Sequence, residues 1–94
     1  MHPLIEQHRS QIRALAARYG IENIRVFGSM ARDDADADSD IDLLVSLPAG
    51  KSGLALGGLL LDVQELMRRK VDLVTEAGLH PALREQVLRE AEPL

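Results

Sequence analysis

Asp40 and Asp42 stand one residue apart, ten residues after a Gly28-Ser29 pair, and this spacing suggests a chemistry before any fold is known. Alternate residues of a β-strand point to the same face, about 6.5–7 Å apart along the backbone. At the head of an apolar run, the two carboxylates can therefore bind divalent cations together while Ile41 and Leu43 face a core. Glycine at position 28 lets the backbone approach a phosphate closely. Ser29 offers a hydroxyl and sits where a helix start would present free N–H groups to an anion. Arg32, one turn later, can add positive charge against a polyphosphate. Two-metal phosphoryl-transfer sites hold their ions roughly 3.5–4 Å apart, a separation that such a pair and a third carboxylate can bracket. Mg²⁺ suits the donors, because it takes few protein carboxylates and keeps positions for water and substrate phosphate. In-line displacement at phosphorus needs positioning and charge neutralisation rather than a covalent protein nucleophile. No Ser-His-Asp arrangement is suggested.

The elements around these residues must deliver them to one place. Apolar residues Ile5, Ile12, Leu15, Ala16 and Tyr19, with His8, recur at helical spacing and predict a helix over 3–19, opened by Pro3 and stopped by Gly20. Residues 24–27 read as a short strand ending at Gly28, residues 29–32 as one helical turn, and residues 41–47 as a second strand. Pro48, Gly50 and Gly53 mark the loop behind it. Leu56, Leu59, Leu60, Val63, Leu66 and Met67 then form the core stripe of a helix over 54–69, weakened in its first turns by Gly57 and Gly58. Residues 71–75 are a third strand. Pro81 begins a last helix expected to carry Leu83, Val87, Leu88 and Ala91 inward. The fold class is α/β, a small mixed β-sheet flanked by helices in the order α-β-α-β-α-β-α.

That order brings in a third carboxylate. A helix between strands 41–47 and 71–75 makes a βαβ unit with parallel strands and a right-handed crossover. Parallel strands begin at the same sheet edge, so Asp72 lies beside Asp40 and Asp42 and can help deprotonate an attacking hydroxyl. If the first strand runs antiparallel to the second, Gly28-Ser29 arrives at that edge as well.

The bulk properties bound the rest. The chain has 94 residues, with 46% hydrophobic and 28% charged, so residues 1–94 are expected to form one domain. Without cysteine, disulfides and thiolate metal sites are excluded, and a cytoplasmic location is expected. No signal peptide is read at the N-terminus, and the apolar stretch around 54–61 is too short to span a bilayer. The net charge is −4, and Tyr19 and Phe27 are the only aromatic residues. Both facts argue against direct nucleic-acid binding, which favours a basic face and stacking platforms. The basic residues, among them Arg68, Arg69 and Lys70, read as solvated helix faces.

Simpler readings compete at several positions. Residues 33–42 contain six aspartates, and for Asp33, Asp34, Asp36 and Asp38 a hydrated loop is preferred. A calcium loop starting at Asp34 fails, because Ser39 stands where Gly is needed and Val45 where the bidentate Glu belongs. Ser29 could be a helix N-cap, which is compatible with phosphate binding. Arg32 could equally be a surface residue, and His2, His8 and His80 show no ligand spacing.

Gly28-Ser29-x10-Asp40-x-Asp42, with Ala31-Arg32 inside it and Ser39-Asp40-Ile41-Asp42-Leu43-Leu44-Val45 closing it, resembles the minimal nucleotidyltransferases of the DNA polymerase beta superfamily. Lys70-Val71-Asp72-Leu73-Val74-Thr75 is similar to that family's third-carboxylate strand. The resemblance implies a single nucleotidyltransferase domain that moves a nucleoside monophosphate from a nucleoside triphosphate with Mg²⁺, two ions being expected. It implies Asp40, Asp42 and Asp72 as catalytic metal ligands and Gly28, Ser29 and Arg32 as nucleotide contacts. Many such proteins are antitoxins that attach AMP from ATP to a tyrosine of a small helical HEPN ribonuclease toxin, so ATP and a HEPN partner are expected here. One departure is Asp33, where the family often has Gly, and it bears on the loop between Arg32 and Asp40. The chain shows no spare residues for an acceptor-binding region, so the acceptor is expected on another chain or a shared interface, in a homo- or hetero-oligomer. Two other classes fit the same residues: a non-catalytic binding module, and a small-molecule nucleotidyltransferase of the aminoglycoside-modifying kind.

Overall fold

Helix α1 (Pro3–Arg18) starts behind His2, whose Nδ1 accepts the Leu4 N–H, while Pro3 occupies a first-turn position that needs no donor. It buries Ile5, Ile12 and Ala16, and Gly20 at φ +68° turns the chain out of it. A computed structural model describes residues 1–36, 38–50 and 53–94. Ala37, in the aspartate-rich loop, and Lys51 and Ser52, in the loop before the third helix, lie outside the described residues.

Strand β1 (Glu22–Phe27) follows, and its alternation puts Ile24 and Val26 into the core. The short helix α2 (Gly28–Arg32) is anchored by buried Met30 and Ala31. Strand β2 (Ile41–Ser46) is the centre of the molecule, with Ile41, Leu43, Leu44 and Val45 fully buried. Helix α3 (Gly53–Met67) inserts Leu59, Val63 and Met67, with Leu56, Leu60 and Leu66 packed around them. Strand β3 (Val71–Thr75), helix α4 (Pro81–Glu90) and a two-residue strand β4 (Glu92–Pro93) complete the chain. Among the described residues, no helix is long and apolar enough to cross a membrane.

The sheet order is β3-β2-β1-β4. β2 and β3 are parallel, and β1 is antiparallel to both β2 and β4, so the sheet is mixed as expected. α1 and α3 supply one continuous core with Val26, Ile41, Leu43, Val45 and Val71. Burying this apolar surface is the main stabilising term of the fold. Gly58 serves that packing, because a Cβ there would lie 2.6 Å from the Tyr19 ring. What weakens α3 locally therefore lets α1 approach it.

Two expectations change. Of the last helix only Val87 is fully buried, and Leu83 is 55% exposed, because α4 touches the body mainly through α2 instead of lying along a sheet face. The sequence reading also missed β4. A Glu-Pro pair carries no strand signal, yet Glu92 and Pro93 pair with Val26 and Arg25, and the Leu94 N–H reaches the Ile24 carbonyl at 3.0 Å.

Candidate functional site

The site begins with strand register. In the parallel β2–β3 pair, Asp42 stands opposite Asp72, and in the antiparallel pair Phe27 stands opposite Asp42. Side chains directly opposite in a sheet share a face. The end of β1 and the starts of β2 and β3 therefore meet at one edge, and Gly28 lands beside the carboxylates. The approach is close: a Cβ on Gly28 would lie 2.4 Å from Asp42 Oδ2. With φ at +70°, position 28 is reserved for glycine both by backbone conformation and by space.

Asp42 shows the electrostatic state of this edge. Burial pushes its pKa up to about 6, and the neighbouring charges of Asp72 and Asp40 and a hydrogen bond with Asp72 add to the shift. Two carboxylates this close resist ionising together, and the raised pKa of Asp42 is the result. The donor set is all oxygen and carries surplus negative charge, which fits a hard divalent cation such as Mg²⁺.

The three expected ligands do not converge equally. Asp42 and Asp72 are side by side, whereas Asp40, just before β2, lies 3.6 Å from the Lys70 ammonium. Among the described residues, no group of three His, Cys, Asp or Glu side chains is already arranged to hold a metal. Lys70 was read as part of a solvated basic run. Its position two residues before Asp72, at the same strand start, is the signal that could have identified it.

Arg32 is partly committed. Its Nε donates to Asp34 Oδ2 and its Nη1 to Glu90 Oε1, both at 3.1 Å. Ser29 lies inside α2, whose N-cap is Phe27, so the capping alternative for Ser29 does not hold. Its carbonyl instead accepts the N–H groups of Asp33 and Asp34. Asp33 sits in the left-handed region at φ 62°, which aspartate tolerates better than most residues. The turn usual for glycine is thus retained without it.

Asp33, Asp34, Asp36 and Asp38 are exposed, as a hydrated loop requires, and some of their neighbours are hydrogen-bonded to one another. Asp36 Oδ1 accepts the Asp38 N–H at 2.9 Å and the Ser39 hydroxyl at 3.2 Å, and those contacts lower its pKa, the Asp38 N–H most. Arg69 Nη1 donates to the Ser39 and Asp36 carbonyls. Arg69 is therefore a loop anchor, not a solvated charge. Among the histidines, His2 and His80 cap α1 and α4, and His8 Nδ1 contacts the Leu4 carbonyl. A surface cleft of about 630 Å³ lies elsewhere, between α1 and α3, lined by residues that include Leu15, Arg18, Asp62 and Leu66. The carboxylate edge is open, with Asp72 exposed and Asp40 partly so.

Comparison with known proteins places the whole fold. The family model described as a nucleotidyltransferase domain matches residues 8–94. A solved structure provisionally described as a minimal nucleotidyltransferase is 46% identical, with a TM-score of 0.87 over 100% of this chain and 97% of that one. The protein adenylyltransferase MntA of Thermococcus cleftensis is 34% identical over 87 residues, which is 93% of this chain and 85% of the relative. A toxin–antitoxin crystal structure with AMP-PNP shares the fold, with a TM-score of 0.76 at 23% identity over 89% of this chain and 69% of that one.

Proposed function

This chain belongs to the nucleotidyltransferase domain family, and from that premise we propose that it transfers AMP from ATP to a hydroxyl of a partner protein, with Mg²⁺. The acceptor is a tyrosine of a HEPN-type toxin, the transfer neutralises that toxin, and residues 1–94 act as one catalytic unit. The observation that carries this reading is the placement of Asp42 opposite Asp72 with Gly28 against the Asp42 carboxylate. Support for the acceptor class comes from the name of the archaeal relative and from the toxin–antitoxin assembly that shares the fold.

The chain's residues divide the work. Gly28 lets the Asp42 carboxylate lie directly against the backbone, and Ser29 and Arg32 offer the same substrate a hydroxyl and a guanidinium. Asp40, Asp42 and Asp72 would hold Mg²⁺, which when bound supplies charge neutralisation at the phosphate oxygens. The acceptor oxygen forms a bond to the α-phosphorus while the bond from that phosphorus to the bridging oxygen breaks. Pyrophosphate leaves with the bonding electron pair. Asp72, exposed at the edge, takes the acceptor proton. Asp42, with a pKa near 6, is ionised at neutral pH and holds the opposing charge in place.

The test is intact-mass analysis of a HEPN-type toxin co-expressed with this chain, after incubation with it, ATP and Mg²⁺. One added adenylyl group on a tyrosine is expected with the wild-type protein and none with Asp42→Asn. An unmodified partner that is nonetheless neutralised would replace catalysis with stoichiometric binding.

A further inference from the structure

Outside the expected site residues, one carboxylate reaches into the site from the far end of the chain. Glu90, in the last turn of α4, has Oε1 3.1 Å from Arg32 Nη1 and 3.3 Å from Gln86 Nε2. Gln86 first, and then Arg32, hold the pKa of this carboxylate below the usual range. A side chain from a separate helix thus holds the last residue of α2. It is the better-fixed partner: the Glu90 side chain is 20% exposed and that of Arg32 46%.

α2 needs such support. It is five residues long, and Phe27 before it provides no side-chain cap. One turn of helix has almost no stability of its own, since nucleation costs more than a single hydrogen bond returns. The position of Arg32 must therefore be set from outside. Asp34 holds Nε and Glu90 holds Nη1, so two carboxylates define the plane of the guanidinium. α4 is itself secured, because the chain runs from it into β4, which pairs with β1, and Leu94 is buried in the core.

We propose that Glu90 is a positioning residue for the nucleotide, holding Arg32 where it receives the triphosphate, with Gln86 orienting its carboxylate. This rests on the adenylyl-transfer reading of the site. Glu90 touches neither substrate nor metal in this role; it acts through Arg32.

Glu90→Gln keeps the size of the side chain and removes its charge. With Mg²⁺ and a non-hydrolysable ATP analogue, calorimetry of this variant should show binding about fivefold weaker than wild type, the KM for ATP should rise in parallel, and kcat should stay within about twofold. In an Arg32→Ala background the same substitution should change affinity little, because the residue through which it acts is gone. Gln86→Ala, at an exposed position, should weaken binding about twofold without threatening the fold. Unchanged affinity in both single variants would overturn the proposal and leave Glu90 as a tether of α4. Tighter binding would also overturn it, since a resident anion competing with the triphosphate gives that sign. If the wild-type protein binds the analogue but modifies no partner, the adenylyl-transfer reading fails alone. If transfer proceeds and Glu90→Gln binds like wild type, only the role of Glu90 fails.

Discussion

Two ends of one sheet face treat charge in opposite ways. Arg25, Leu44 and Val74 are cross-strand neighbours, as are Phe27, Asp42 and Asp72, and both rows share a face. Near the first row, Arg25 forms an ion pair with Glu76, and Arg84 donates to the Glu76 carbonyl at 2.6 Å. In the second row Asp42 and Asp72 crowd together, and the nearby ammonium of Lys70 is turned to Asp40. The Arg25 end is neutralised by folding itself. The Asp42 end keeps unresolved repulsion, which a folded chain tolerates when a ligand is meant to relieve it. On this view surplus charge, rather than carboxylate count, separates the functional end from the structural one.

The largest effect should come from removing the repulsion. Asp42→Asn is expected to lower adenylyl transfer about a thousandfold, while the metal-free protein becomes more resistant to urea at pH 7.5. A variant both inactive and less stable would break the contrast, because Asp42 would then belong to the fold. Next is Gly28→Ala, which combines a positive φ with a Cβ 2.4 Å from the Asp42 carboxylate. It should cost about 2 kcal/mol of stability and lower transfer about a hundredfold, measurable by thermal unfolding and mass analysis.

The opposite end should answer the other way. Glu76→Ala strands Arg25 at a half-buried position and is expected to lose about 1–2 kcal/mol in urea unfolding while transfer stays within about twofold. A collapse of activity in that variant would mean that the two ends are coupled.

The pH dependence follows from the raised pKa of Asp42, about 6 against an ordinary 3.8. The folded state favours the neutral carboxyl. Below pH 4 the group adds nothing to the pH dependence, and between pH 4 and 6 metal-free stability should fall as pH rises. Above 6 the penalty is complete, at roughly 1 kcal/mol after allowing for solvent screening. Denaturant midpoints measured across that range, with and without Mg²⁺, check both the slope and its relief. The smallest expected effect is at Asp33: replacing this left-handed residue by glycine should add about 0.5 kcal/mol without slowing transfer.

How far the sequence could be read depended on the range of each interaction. The carboxylate pair, the Gly-Ser corner and three helices longer than one turn were legible because strand and helix periodicities are local. Val71–Thr75 came out with its observed limits. The inward placement of Leu83 did not survive, because the side of a helix that is covered depends on what packs there. Arg69 and Lys70 were read as solvent-facing; they bind the Ser39 carbonyl and Asp40, partners about thirty residues away in the chain.

By itself, the sequence determined the kinds of elements and the types of donor at their ends, since both follow from side-chain chemistry at short range. Only the tertiary structure decided that Asp42 faces Asp72 in register, that the Asp42 carboxylate covers Gly28, and that Glu90 closes on Arg32. Strand register and helix docking minimise the free energy of the whole core, in which a one-residue slip would expose Ile41, Leu43 and Val45 together. The chain carries the carboxylates, and its core decides where they meet.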